Sequence, residues 1–94
     1  AYGASARSST LMNFAGISTQ EIECVVDRNP IKHGLYTPGT NIPIVSYEEG
    51  LNKLDGKHLL LLAWNFEEEI VKDLRASGFK GDIIVPLPNE VHVR

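Results

Sequence analysis

The chain has 94 residues, 43% of them hydrophobic, 22% charged and 7% aromatic, which suits one small domain with a single core and excludes disorder. A net charge of −3 with Lys and Arg dispersed offers no basic stripe to a phosphate backbone, so nucleic-acid binding is disfavoured while small anionic ligands stay open. The longest apolar run, Leu59 to Trp64, is far too short to cross a bilayer and no charged-then-apolar leader is visible, so a cytoplasmic protein without membrane contact is expected.

Small residues dominate the opening run, Ala1 to Thr10. Gly3, Ser5 and Ser8 hold the three offsets of a strand-to-helix turn that grips phosphate: the first allows the tight turn, the second lets ligand oxygens approach the backbone, the third lets helix and strand pack closely. An ordinary N-capped helix accounts for the same run. The helix is predicted from Ser5 to Ala15, with Leu11, Phe14 and Ala15 at helical spacing and Gly16 as a left-handed stop. Ile22, Cys24, Val25 and Val26 form a short strand ending at Asp27, in which the lone Cys24 reads as a packed core thiol.

A long segment bearing Pro and Gly follows, from Arg28 to Asn41. Ile42 to Val45 is a short strand whose Pro43 suggests an edge, and Ser46 to Glu49 is a capping box opening a helix with Leu51 and Leu54 inward and Gly56 as its end. His58 to Ala63 is almost continuously apolar, as a parallel strand covered on both faces would be. Asn65 then caps a third helix, with Glu68 at capping-box spacing, Phe66, Ile70, Val71 and Leu74 inward, a Glu68 to Lys72 pair, and Gly78 as its stop. Asp82 to Pro86 is the next strand, and Val91 to Arg94 a short added strand or a tail.

Alternating elements with short connections imply an α/β Rossmann-like three-layer sandwich with a mostly parallel sheet, one domain over residues 1–94. Only Ala1 and Tyr2 precede the glycine turn, so the first central strand is expected to be truncated and the chain to be a fragment of a larger protein.

Ligands of such sheets bind outside the carboxyl ends of the strands. Four such ends are named here: Gly3 to Arg7, Asp27 to Pro30, Ala63 to Asn65, and Pro86 to Pro88. The predicted helix offers backbone N–H groups to a pyrophosphate, with Ser5, Arg7, Ser8 and Ser9 adding hydrogen bonds or charge and Asn13 and Phe14 positioning the helix. Asp27 is either the acid that dinucleotide folds place for ribose hydroxyls or a turn former at a strand end. Trp64 is either core closure or a flat surface for a base or sugar. His33 and Tyr36 lie in the long loop, whose polarity suggests function. His58 and His92 are expected to face solvent. No His or Cys pair has metal-ligand spacing, and neither a G-x-S-x-G elbow nor a Walker lysine occurs.

Three ordered motifs carry a resemblance over Tyr2 to about Pro86. Tyr2-Gly3-Ala4-Ser5-Ala6-Arg7 running into Thr10 to Phe14, then Asp27-Arg28-Asn29-Pro30-Ile31-Lys32-His33-Gly34-Leu35-Tyr36-Thr37-Pro38-Gly39-Thr40 leading to Ile42-Pro43-Ile44, then Leu62 to Phe66, resemble the C-terminal domain of the sugar C-methyltransferases. The resemblance implies a Rossmann-like domain that helps bind a nucleotide-linked keto sugar. It also implies a zinc-binding segment and an S-adenosylmethionine-binding domain upstream in the same protein, with no cofactor in this domain. Ser5 and Arg7 stand where that family more often has proline and lysine, His33 where it has glutamine, and Asn41 where it has histidine. The implied substrate contacts are Tyr2, Gly3, Ser5, Arg7, Ser8, Ser9, Asp27, Asn29, Tyr36, Trp64 and Asn65, with no catalytic and no metal-binding residue in this chain. A free-standing dinucleotide or coenzyme module and a purely structural domain are the competing readings.

Overall fold

A computed structural model of the chain describes residues 1–54, 56–86 and 91–94, apart from the side chains of Ala6 and His92. Its strands are short. Val25–Val26 (β1) pairs in parallel with Ile44–Val45 (β2). Leu59–Leu60 (β3) pairs in parallel with Ile83–Pro86 (β4), and Val91–Val93 (β5) joins β4 antiparallel, so the terminal segment is a strand. Tyr2 lies between the two sheets and bridges both in parallel, to Val26 and to Leu61. The Tyr2 amide donates to the Leu60 carbonyl at 2.9 Å, its carbonyl accepts from Leu62 at 3.0 Å, and the Gly3 amide donates to the Val26 carbonyl at 2.9 Å. One residue thus ties the two parallel pairs together.

Among the described residues three α-helices connect these strands: Ala6–Ala15 (α1), Tyr47–Lys53 (α2) and Glu67–Ala76 (α3). The result is the expected mixed α/β class. Alternation along the strands splits the apolar residues into two clusters. Tyr2, Val26, Val45, Leu59 and Leu61 join Leu54 after α2 and Ile70, Val71 and Leu74 of α3, with Cys24 fully inside as expected. Ala1, Val25, Ile44 and Leu62 join Met12 of α1, with Leu60 packed beside them. The single core expected from chain length is therefore divided by the strands.

Local chemistry sets the helix ends. Ser5 and Ser46 cap α1 and α2 by accepting from the amides of Ser8 and Glu49, and Gly16, in the left-handed region at φ +72°, closes α1. Several expectations fail. Phe14 is 91% exposed while Met12 is fully buried, because α1 lays its small residues Ser8 and Ser9 with Met12 against the strands, a face that bulky-residue spacing does not reveal. Asn65 does not cap α3: a 3-10 turn over Trp64–Phe66 intervenes, Phe66 occupies the cap position without a side-chain bond, and its ring is 59% exposed rather than inward. Glu68, expected to pair along the helix, hydrogen-bonds Arg94 at 2.9 Å.

The long loop is an edge cover. The Gly34 amide donates to the Ile44 carbonyl and the Ile44 amide to the Leu35 carbonyl, at 3.1 and 2.9 Å, while Tyr36 bridges Pro43 antiparallel. This loop saturates the outer edge of β2, the edge that Pro43 signalled, and leaves it no open ladder. Its far end is fixed by Asn13, whose side-chain amide donates to the Ser9 and Pro38 carbonyls at 2.8 and 3.1 Å. Gly39, at φ +78°, is required there, since an added Cβ would lie 2.5 Å from the Asn13 side-chain oxygen.

Candidate functional site

The carboxyl ends of the Tyr2 segment, β1 and β3 meet at one crevice of about 410 Å³, lined among others by Tyr2, Gly3, Ser5, Asp27, Arg28 and Phe66. Gly3 makes the turn there. Its φ is +106°, and an added Cβ would stand 3.0 Å from the Cβ of Ala63, so both conformation and space require glycine. The chain then reaches Ser5, whose hydroxyl accepts from the Ser8 amide at 3.1 Å and lies 3.0 Å from the Ser8 hydroxyl. Helical geometry leaves the amides of Ala6 and Arg7 directed out of the first turn, at the positive end of the helix dipole.

Ala4 is held through both of its flanking peptide groups. Its amide donates to Asp27 Oδ2 at 3.0 Å, and its carbonyl accepts from Lys32 Nζ at 2.6 Å. Lys32 and Asp27 Oδ2 face each other at 3.9 Å. Asp27 Oδ1 accepts from the Asn29 amide at 2.8 Å, and the Asn29 side chain in turn caps the 3-10 turn Pro30–Lys32 through the Ile31 amide. His33 Nε2 lies 2.5 Å from the Asp27 carbonyl. The motif Asp27 to His33 thus folds back on the glycine turn.

Cations flank this turn on both sides. Arg7 places its guanidinium 5.9 Å from the centre of the Trp64 ring and donates to Asn65 Oδ1 at 3.4 Å, while Trp64 packs against the core below. Arg28 stacks 3.9 Å over Tyr47, donates from Nε to the Tyr2 hydroxyl at 3.1 Å and faces Asp73 at 3.7 Å. Hydrogen bonding to Tyr2, above all, holds the Arg28 charge in place by raising its pKa.

Of the sequence-predicted residues, Tyr2, Gly3, Ser5 and Asp27 line the crevice. Arg7, Trp64 and Asn65 contact one another at the start of α1 and are not part of its lining. Tyr2 contributes backbone, its ring being buried edge-on to Tyr47 at 6.4 Å. Ser8 and Ser9 are buried beneath the cap, and Asn29 serves the Asp27 loop. Tyr36 stands apart, in a separate hollow of about 390 Å³ with His33 and Ser46. His58 is exposed beside Asp82 at 3.6 Å. The His92 side chain, and Leu87 and Pro88 of the expected fourth strand end, lie outside the described residues.

Sequence reasoning does not single out as site residues Arg28, Phe66, Glu69 and Asp73, which line the crevice, or Lys32, which braces its turn; Arg28 and Lys32 meet partners remote in sequence, 26 positions for Arg28 and Tyr2 and 28 for Lys32 and Ala4. The order Asp27-Arg28-Asn29-Pro30-Ile31-Lys32 was the available signal.

Over residues 1–88 the sequence matches the C-methyltransferase C-terminal domain family. The chain belongs to that family. It is 38% identical over 90 residues to the C-methyltransferase NovU of Streptomyces niveus, an alignment covering 93% of this chain and 21% of that protein. The chain therefore spans about a fifth of the length of the relative it matches. The region matched to this C-methyltransferase family takes in every lining residue of the crevice, from Tyr2 through Asp27 and Phe66 to Asp73. Among the described residues no helix is long and apolar enough to cross a membrane.

Proposed function

We propose that this chain is the nucleotide-sugar-binding domain of a C-methyltransferase that uses S-adenosylmethionine, and that it holds the diphosphate of a nucleotide-linked keto sugar at the Gly3 turn. The observation that carries the reading is that turn itself: a glycine at φ +106° against Ala63, leading at once into the capped start of α1, where free amides and dipole favour an anion. Taken through Tyr2, the strand order β2, β1, Tyr2, β3, β4, β5 supports reading the sheet as Rossmann-like, with helices α2 and α3 on one apolar cluster and α1 on the other. In this reading the direction of chain travel reverses at Tyr2, and ligands of such sheets bind at that reversal.

The domain's work is positional. S-adenosylmethionine would supply the methyl group in a preceding domain of the same protein, while binding energy from the nucleotide end orients the sugar carbon toward it. Arg7 supplies charge, Trp64 a flat face, and Asn65 a hydrogen-bonding group beside the first turn of α1.

Amide chemical-shift titration of the 94-residue chain with uridine or thymidine diphosphate tests this. Resonances of Gly3 to Ser9, Asp27 to Asn29 and Trp64 should move together, and Gly3→Ala should remove the response. Shifts with S-adenosylmethionine but not with either nucleotide would defeat the proposal.

A further inference from the structure

Asp27 stands where a dinucleotide fold would read ribose, yet its carboxylate is turned inward. Oδ2 accepts from the Ala4 amide at 3.0 Å, Oδ1 from the Asn29 amide at 2.8 Å, Lys32 Nζ approaches at 3.9 Å, and the side chain is only 16% exposed. Lys32 spends its ammonium on the far side of the same residue, on the Ala4 carbonyl at 2.6 Å. The Ala4 N–H belongs to the peptide shared with Gly3 and its C=O to the peptide shared with Ser5, so two oppositely charged side chains hold the peptide planes on either side of Ala4 and fix its φ and ψ. Ala4 is the residue between the glycine turn and the Ser5 cap, so its orientation sets where the Ala6 and Arg7 amides point.

We infer that Asp27 and Lys32 are positioning residues that lock the two peptides flanking Ala4, and that the domain consequently does not read the ribose 2′-hydroxyl of its ligand. The inference rests on the nucleotide-binding reading above. It extends that reading by naming a specificity: ribo- and 2′-deoxyribonucleoside diphosphates bind alike. Both carboxylate oxygens are directed at backbone amides of the turn, one of them also at Lys32, and the side chain is only 16% exposed, which turns its acceptors toward the protein rather than toward a ligand hydroxyl, and Lys32, anchored to a backbone carbonyl, acts on the ligand through the turn.

The test uses uridine diphosphate and 2′-deoxyuridine diphosphate with the 94-residue chain, its Asp27→Asn variant and its Lys32→Met variant. Amide hydrogen exchange is recorded alongside binding. Equal affinities are expected in the parent chain. Each variant should weaken both nucleotides by the same factor, about tenfold for one lost charge-assisted hydrogen bond, and speed exchange at Ala4 and Ala6 with the unfolding midpoint little changed.

A parent chain that prefers the ribonucleotide by about tenfold, the size of a hydroxyl contact, and loses that preference in Asp27→Asn would make Asp27 a ribose reader and overturn the inference. Unchanged Ala4 exchange in both variants would overturn the lock. If neither nucleotide binds the parent chain, the nucleotide reading falls and the ribose claim with it, whereas Ala4 exchange still decides whether the pair locks the turn.

Discussion

Helix α1 starts on polar bonds, with Ser5 capping the Ser8 amide at 3.1 Å and Asp27 holding the Ala4 amide at 3.0 Å. Helix α3 rises from the same crevice without any side-chain cap, behind the 3-10 turn Trp64–Phe66. It is fixed instead by what lies further along: Ile70, Val71 and Leu74 in the core, and Arg94 reaching Glu67 and Glu68 at 2.5 and 2.9 Å. Directional bonds fix where the backbone amides of α1 point, which a ligand can use. Packing fixes only where the α3 cylinder lies, which serves stability.

The largest expected effect breaks the packed side. Leu74 is fully buried in α3, so Leu74→Ala should lower unfolding free energy by about 2–5 kcal/mol. Urea unfolding measures this. Nucleotide affinity per folded molecule should stay as it was, and a parallel loss of affinity would show that the two helix starts are not independent.

How far the sequence reveals each start follows from the range of the forces involved. Ser5 and Gly16 around α1, and Ser46 with Glu49 at α2, were legible because a cap joins residues three or four apart and needs one chemistry. The stripe Ile70, Val71, Leu74 was legible from period alone. What could not be read is long-range or concerns which face wins. Lys32 bonding Ala4, and Arg28 bonding Tyr2, span 28 and 26 residues. Asn65 had cap chemistry but was drawn toward Arg7, and the turn it belongs to runs one residue further before α3 begins.

Ser5→Ala offers a smaller and sharper test. Losing the bond to the Ser8 amide should cost about 1 kcal/mol of stability, the usual worth of an N-cap. Because this cap borders the Ala6 and Arg7 amides, nucleotide binding should weaken as well. Asn65→Ala, at the start that lacks a side-chain cap, should leave stability nearly unchanged. Equal stability losses in the two variants would dissolve the contrast between the helices.

The smallest expected effect concerns Phe14. Helical spacing alone places it inward, and a fully buried ring would cost about 3–5 kcal/mol when cut to alanine. In the structure the ring is 91% exposed, while Met12, Ser8 and Ser9 occupy the face against the strands, none more than 7% exposed. Removing an exposed ring takes away little burial, and alanine is the better helix former. Phe14→Ala should therefore stay within about 0.5 kcal/mol of the parent chain, whereas Met12→Ala should cost about 2–5 kcal/mol. Paired urea titrations of these two variants decide which face of α1 meets the sheet: a large loss at Phe14 with a small one at Met12 would rotate the helix, and would move Arg7 away from Trp64 with it.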